Sequence, residues 1–281
     1  MNTTILRPER SIFQKGQLTL RKYVAVLQVS IANNLAYIME VLFRSLFMIA
    51  VVFILSQLWK TTFSSRGAKL ISGFSINTMI WYLICAETIA LSLPALTRRI
   101  DLEVRSGQLA YLLGRPCSYI FYNFAQYLGE RLVRLLLNAL VGMTLGLLVA
   151  GVPDWNWIGL LACPLAIFLA VCIDFVAYFS IGLLAFWTEE TQSFVLVFNR
   201  LTLVLGGVLA PLEIFPQPLR SIAQALPFSA ILYGPARTLV HFEGDRFALL
   251  LIQQGVTLAI GSVILLLMYS VAIRRVTLNG G

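Results

Sequence analysis

Five charged side chains fall inside long apolar runs of this sequence: Glu40, Arg44, Glu87, Asp174 and Arg200. Ionisable groups are costly in hydrocarbon, so each is expected to face a partner or a cavity. Glu40 and Arg44 are four residues apart, which predicts an ion pair along one face of a helix. We interpret this pair as a local ion pair near one end of the helix, and a contact with a substrate is the alternative.

Asp174 and Arg200 form a second candidate pair, because they lie well inside two neighbouring apolar runs. Only residues 188–191 (TEET) separate these runs, which predicts a tight helical hairpin. Counted from that turn, the two side chains differ in depth by several ångströms at 1.5 Å per residue. Direct pairing and separate positions therefore both stay open. A proton relay would need a longer series of acidic residues.

A denser polar group lies outside the apolar runs, in residues 98–116 (RRIDLEVRSGQLAYLLGRP). This segment predicts a short amphipathic helix with a turn at Ser106 and Gly107. Pro116 ends it, because the residue before proline leaves the helical region. A rigid projection with charged and apolar faces suits docking into a groove of another protein. A solvated loop that only fixes topology is the alternative. The candidate docking residues are Asp101, Leu102, Glu103, Arg105, Gly107, Gln108, Leu109, Tyr111 and Leu112.

Motifs of the common enzyme classes are missing. The sequence has no GxxxxGK[ST] phosphate loop, no HExxH and no GxSxG. Its single histidine, His241, falls in a predicted loop, so a histidine-based triad or metal cluster inside the apolar runs is excluded. The four cysteines form no CxxC pair and are interpreted as packing residues.

The elements that position these groups are predicted to be membrane-spanning helices. The chain has 281 residues, 59% of them hydrophobic and 12% charged, whereas a soluble domain is about 25% charged. A span needs about 20 apolar residues to cross about 30 Å of hydrocarbon. The net charge of +8 is spread over loops without an aromatic-basic stripe, which disfavours nucleic acid as a partner. Six segments qualify as spans: 37–59, 73–97, 132–151, 158–187, 191–210 and 247–273. The third is expected to extend as helix back to about residue 119.

The orientation follows from the distribution of Lys and Arg. The N-terminal segment, residues 98–134 and the C-terminal segment carry more basic residues than the alternate loops. Arg131 belongs to this basic flank, just before the third predicted span. The positive-inside rule then places both termini in the cytoplasm.

Two segments are neither spans nor plain loops. Residues 15–34 mix Lys and Arg with apolar residues, which suits a helix lying in the inner membrane interface. Residues 211–236 are moderately apolar, but five prolines exclude a continuous spanning helix. We interpret them as an outer re-entrant helical hairpin before the last span, with an ordinary loop as the alternative. The predicted fold is thus one all-α membrane domain, residues 1–281, with an interfacial segment 1–36, six spans over 37–273 and a cytoplasmic tail 274–281.

Two segments together resemble the membrane subunits of type-2 ABC transporters, the six-span permeases of bacterial exporters. The first contains the pattern I-x-x-E-x-x-S-G-x-L-x-x-L-L-x-R-P, and the second reads GGVLAPLEIFPQPLRSIAQALPFSAILYGP. With the basic amphipathic N-terminus and the basic C-terminus, the resemblance covers essentially the whole chain. It points to the subgroup that lacks a fused ATPase domain.

The resemblance implies a permease that binds no cofactor itself and depends on two ATPase subunits, which hold ATP and Mg²⁺. It also implies a second permease subunit, identical or related, surrounding lipids and a bacterial inner membrane. Residues 101–112 would be a coupling helix seated in the ATPase. The outer hairpin would help to close the pathway, and the gate residues would be Pro211, Ile214, Phe215, Pro216, Pro227 and Phe228.

The resulting hypothesis is an ATP-driven exporter permease for a lipid-like or amphipathic substrate, because the spans offer few polar groups to a hydrophilic cargo. A secondary transporter or channel is the first alternative, although the broken outer segment has no counterpart in the first half of the chain. An intramembrane lipid-modifying enzyme is the second, and the scarcity of His and acidic residues opposes it.

Overall fold

The computed structural model describes residues 12–153 and 155–279, which form helices joined by short turns. The predicted all-α class is confirmed for these residues. The helices are α1 (Ile12–Ala36), α2 (Ile38–Arg66), α3 (Ile76–Leu91), α4 (Leu96–Arg105), α5 (Gln108–Leu113), α6 (Tyr119–Val149), α7 (Trp157–Leu183), α8 (Gln192–Leu205), α9 (Gln217–Ala225), α10 (Phe228–Ile231), α11 (Tyr233–Val240) and α12 (Gly244–Asn279).

Five helical segments in this part of the chain are long and apolar enough to cross a membrane. They are Ile38–Arg66, Ile76–Arg105, Tyr119–Val149, Trp157–Phe186 and Gly244–Arg275. Each overlaps a predicted span, so the membrane class is confirmed.

The predicted span 191–210 is the exception, because its helix α8 has only 14 residues. At 1.5 Å per residue α8 is about 21 Å long, which is less than the about 30 Å of hydrocarbon. The chain turns at Gly207, whose φ of 72° suits glycine. A crossing there stays a prediction. Helix α12 continues through Arg274 and Arg275 to Asn279, and the cytoplasmic location of this segment stays a prediction.

Helix α7 lies at the centre of the bundle and packs against α4, α11 and α12. Two of its glycines permit close contacts at opposite ends of the helix. A Cβ on Gly159 would lie 2.7 Å from the carbonyl oxygen of Thr238 on α11, and one on Gly182 would lie 3.0 Å from Ile100 on α4. The molecule therefore has an α11 end and an α4 end, separated by the length of α7.

A break between α3 and α4 divides the second predicted span. It contains Pro94, which prevents the helix from continuing through residues 92–95. Carbonyl groups released by the break accept side-chain hydrogen bonds instead. Ser92 Oγ donates to the carbonyl of Ile89 over 2.7 Å, and Arg134 Nη1 donates to the carbonyl of Leu93, also over 2.7 Å.

Helix α1 packs along the first half of α6. Tyr23 accepts a hydrogen bond from the backbone N–H of Ser118, and Ser30 donates to the carbonyl of Gln126 over 2.8 Å. Gly129 makes this approach possible, because a Cβ there would lie 2.8 Å from Ser30 Cβ. The predicted N-terminal helix is thus present from Ile12, while residues 1–11 lie outside the described residues.

Candidate functional site

Helices α4 and α5 form a compact projection, residues 96–113, which we call the knob. Gly107 has a φ of 73° and makes the turn between the two helices, where the sequence predicted it. Ile100 is fully buried against α7, and Leu109 of α5 is only 3% exposed. The knob is therefore a rigid extension of the bundle rather than a solvated loop.

The predicted docking residues divide into an outward and an inward group. Leu102 is 57% exposed and Tyr111 is 71% exposed, and Arg115 lies over the Tyr111 ring at 5.1 Å. Arg105, Gly107 and Gln108 are also exposed, whereas Leu109 is buried. Asp101, Glu103 and Leu112 are partly buried. Leu102, Gln108 and Tyr111 offer exposed side chains to a second protein, whereas Arg105 is exposed but also binds within the chain.

The polar members of the inward group bind the rest of the chain. Asp101 accepts from Arg105 Nε over 3.0 Å and from the Thr191 hydroxyl over 3.2 Å. Arg105 also donates to the carbonyl of Glu189, and Glu103 accepts from the hydroxyl of Tyr119. These bonds tie the knob to α6 and to the turn before α8.

A fully buried ion pair lies deeper in the bundle. Arg131 on α6 and Asp174 on α7 are 1% and 2% exposed, and Arg131 Nη2 is 2.8 Å from Asp174 Oδ2. The hydroxyl of Tyr127 accepts from Arg131 Nη1 over 2.6 Å. The predicted alternative of an Asp174–Arg200 pair is wrong, because Asp174 binds Arg131. Helix α6 starts at Tyr119, which confirms the predicted helical extension of the third span, and it carries Arg131 into its buried face. The orientation inferred from the basic residues stays a prediction.

Two arginines of α6 connect this pair to the break before the knob. Arg131 Nη2 donates to the carbonyl of Ile89 over 3.2 Å, and Arg134 Nη1 binds the carbonyl of Leu93 one turn later. Thr97, at the start of α4, donates to the carbonyl of Tyr178 on α7 over 2.8 Å. A displacement of α4 would reach α7 through Thr97 and α6 through the bond between Glu103 and Tyr119.

A groove of about 640 Å³ runs beside α8 and has an amphipathic lining. Arg200 is exposed, and within the described residues it takes part in no ion pair. Asp174 reaches the floor of the groove from the buried pair, and Tyr178 donates to Asn199 Oδ1. Asp174 and Arg200 thus line one groove without direct contact. The opposite lining is apolar and includes Leu203 and Ile231.

The remaining predicted membrane charges have different settings. Glu87 is buried on α3 at 5% exposure, and the described residues provide it with no ion pair. Glu40 is exposed near the start of α2. The side chain of Arg44 lies outside the described residues, so the predicted Glu40–Arg44 pair stays a prediction.

The predicted gate residues lie at the α11 end, in short helical pieces broken by prolines. Pro211 and Phe228 are buried, Ile214, Phe215 and Pro227 are partly buried, and Pro216 is exposed. Phe228 contacts the Phe198 ring of α8 at 5.4 Å between centroids.

Two aromatic side chains donate hydrogen bonds to the backbone of the loop between α8 and Pro211. The hydroxyl of Tyr82 on α3 donates to the carbonyl of Gly207 over 2.5 Å. The indole N–H of Trp59 on α2 donates to the carbonyl of Leu209 over 3.2 Å. The end of α8 is therefore fastened to α2 and α3.

Charged groups at the α11 end bind each other. Arg237 Nε donates to Glu213 Oε1 over 2.8 Å, and Arg237 Nη2 donates to Glu243 Oε1 over 2.7 Å. Arg246 also binds Glu243, at 2.8 Å. The hydrogen bond from Arg237 lowers the pKa of Glu243. His241 is half-buried against the Phe74 ring, and this burial lowers its pKa.

A family profile described as "ABC-2 family transporter protein" matches residues 57–280, which is most of the chain. The chain belongs to the ABC-2 family of transporter proteins. A search of curated proteins finds no match. The predicted resemblance to type-2 ABC permeases is confirmed, and this ABC-2 family protein is a multi-pass membrane protein of the permease class.

The ABC-2 match covers the knob, the buried pair and the α11 end. Sequence reasoning missed Arg131, Tyr127 and Asn199 as functional candidates. One signal was available for the first two: Tyr119, Asn123, Tyr127 and Arg131 repeat every four residues and so share one face of α6.

Proposed function

We propose that this ABC-2 family protein is the membrane-spanning permease subunit of an ATP-driven exporter, and that separate ATPase subunits bind the knob. The observation that carries the proposal is that Leu102 and Tyr111 are both exposed on the knob. The inward polar side chains of the knob are hydrogen-bonded to α6 and to the turn before α8. Exposed aromatic and aliphatic side chains on a rigid projection are suited to act as anchors in a pocket of a partner.

The charge around these anchors defines the partner surface. Arg98 and Arg115 are exposed beside Leu102 and Tyr111. A binding cleft with acidic side chains at its rim would complement this basic surface and would speed association. ATP-driven closure of two ATPase subunits then displaces the two knobs, and the bonds from α4 to α6 and α7 pass that displacement into the membrane.

The complete transporter contains two permeases, identical or related, and two ATPases that hold ATP and Mg²⁺. Both termini of the permease lie in the cytoplasm, and α1 lies along the inner interface. Six crossings result if α8 and the loop after it complete the fifth span. The bacterial inner membrane is the proposed location. The gate residues at the α11 end close the outer side of the pathway.

The groove beside α8 supports a lipid-like or amphipathic substrate. It joins Asp174, Asn199 and Arg200 to an apolar wall, so a polar head and an apolar tail would each find complementary side chains. Stimulation of ATP hydrolysis by candidate lipids in nanodiscs tests this assignment, and equal indifference to all lipids contradicts it.

The docking proposal is tested by affinity purification of the full chain in mild detergent, followed by mass spectrometry. We expect an ABC ATPase to accompany the wild-type protein and to be lost from the variant Leu102→Asp/Tyr111→Asp. The matched control is Leu70→Asp/Val152→Asp, which changes two exposed apolar residues in loops outside the candidate spans. Recovery of the ATPase with the knob variant contradicts the docking assignment. If no ATPase accompanies the wild-type protein, the alternative of a secondary transporter or channel is favoured.

A further inference from the structure

A groove of about 610 Å³ opens where α1 meets α2, and α4 and α6 complete its walls. It lies at the level where the apolar residues of α2 begin, and it shares no lining residue with the groove beside α8. Its lining combines polar and charged side chains with apolar ones. The polar residues that matter here are Asn33, Tyr37, Glu40, Arg99, Glu130 and Arg134.

Two guanidinium groups share one carboxylate in this groove. Glu130 Oε1 binds Arg134 Nη2, while Glu130 Oε2 lies 3.7 Å from Arg99 Nη2. Arg134 is bonded further to the carbonyl of Leu93. The three residues therefore carry one net positive charge.

Arg99 differs from Arg134 in its hydrogen bonding. Its Nε and Nη2 atoms are buried, yet no acceptor within hydrogen-bond distance exists among the described residues. Buried polar groups are normally paired, and an unpaired donor indicates a role for an acceptor from outside the chain. A guanidinium group that presents adjacent N–H groups matches a phosphate, which can accept both.

We propose that this groove binds the headgroup of a membrane glycerophospholipid, with its phosphate on Arg99 and a headgroup amine beside Glu40. Glu40 lines the groove from α2 and is exposed. The two carboxylates and two guanidiniums of the lining sum to zero charge, which matches a zwitterionic phosphoethanolamine better than an anionic headgroup.

Apolar surface next to the groove accounts for the rest of the lipid. Val29, Met39 and Phe43 are all strongly exposed around the junction of α1 and α2. Acyl chains that follow α2 from a headgroup in the groove would cover this surface. An inorganic phosphate would leave it exposed and would face Glu40 and Glu130 without a compensating amine.

The lipid of this site is a resident ligand rather than the transported substrate, so the inference does not rest on the proposed function. The test uses the full-length protein, delipidated in detergent and titrated in native mass spectrometry. The probes are phosphatidylethanolamine and phosphatidylglycerol of equal chain length, glycerophosphoethanolamine and inorganic phosphate. We expect phosphatidylethanolamine to bind most tightly, and the two chain-free probes to compete weakly.

Two adjacent arginines of α4 provide a matched pair of variants. Arg99→Gln is expected to weaken phosphatidylethanolamine binding about tenfold or more, because it removes a charged donor to phosphate. Arg98→Gln removes the same charge from an exposed neighbour that does not line the groove, and it should bind lipid as the wild type does. Equal loss in both variants would indicate general electrostatic attraction and would overturn the proposal.

Glu40→Gln tests the amine contact and does not disturb the arginines. It should remove the preference for phosphatidylethanolamine over phosphatidylglycerol while both lipids still bind. An unchanged preference contradicts the Glu40 assignment. If Arg99→Gln does not fold, the wild-type titration decides: full displacement by inorganic phosphate indicates a free-anion site, and equal binding of all lipids indicates an unspecific surface.

Discussion

The α4 end and the α11 end of the molecule both concentrate charged and aromatic residues, but they use them differently. At the α11 end, Glu213 and Glu243 both bind Arg237, so these charges are paired within the cluster. At the α4 end, Arg131 and Arg134 turn inward to carbonyl groups released by the break between α3 and α4. On the outer face of the knob, the apolar side chains of Leu102 and Tyr111 are exposed.

The α11 end is thus a cluster whose charged groups bind each other, whereas the knob at the α4 end has an exposed surface that a partner can contact. A cluster that binds itself stabilises local structure and offers little to another chain. A knob whose base is fixed by backbone contacts, and whose tip carries Leu102 and Tyr111, can transmit force without losing its shape. The comparison therefore predicts large effects from changes at the base of the α4 end and small ones at the α11 end.

The largest effect is expected at the buried pair. Asp174→Ala leaves the guanidinium of Arg131 buried without its carboxylate, and breaking such a pair costs about 3–5 kcal/mol. Thermal unfolding in detergent should show a clearly lower midpoint. The double variant Arg131→Met/Asp174→Leu is the control, since a well-packed apolar pair often restores stability. A single variant as stable as the wild type would contradict the burial of this pair.

The base and the tip of the knob should respond differently to one kind of substitution. Leu109→Asp places a carboxylate at a buried position and removes apolar contacts that are worth about 2–5 kcal/mol. Tyr111→Asp changes an exposed position and should leave the unfolding midpoint nearly unchanged. Thermal unfolding of both variants, with ATPase binding measured beside it, checks the contrast. Equal destabilisation would show that the two residues do not differ in burial.

The sequence predicted the parts of this comparison that depend on local pattern. The turn at Gly107, the end of the knob before Pro116 and the broken helices near Pro211 follow from glycine and proline chemistry, and each is present in the structure. Hydropathy located five long helices, and the predicted extension of the third span back to about residue 119 matches the start of α6. Hydropathy could not show that Arg131 on this extension is buried in an ion pair, because its partner lies 43 residues further along the chain, at Asp174.

Pairings between distant segments could not be predicted for the same reason. Arg200 is nearer to Asp174 in the sequence than Arg131 is, and only the packing of α6 against α7 selects Arg131 as the partner. Arg99 had no distinguishing pattern, because Arg98 precedes it with the same side chain. The difference arises from the rotation of α4, which exposes one arginine and turns the other towards α1 and α6.

A small effect is expected from the ion pairs at the α11 end. Glu243 and Arg246 are 50% and 49% exposed, and exposed pairs typically contribute about 0–1 kcal/mol. Arg246→Gln should therefore shift the unfolding midpoint far less than Asp174→Ala does, and added salt should reduce the shift further. A loss comparable to that of the buried pair would remove the distinction between the two ends.

The smallest effect is a pH dependence that comes from His241. Burial beside Phe74, with a further contribution from Arg237, holds its pKa below the ordinary value of 6.5. The unfolded chain then binds a proton more readily than the folded chain, so stability falls as pH falls through about 6.5. The pKa of Glu243 lies below its ordinary value of 4.5, so its stabilisation stays constant in that range. As the pH falls from about 8 to 5.5, the unfolding midpoint should decline less steeply for His241→Gln than for the wild type. Parallel pH profiles of the two proteins would show that the imidazole has the same pKa in the folded and unfolded states.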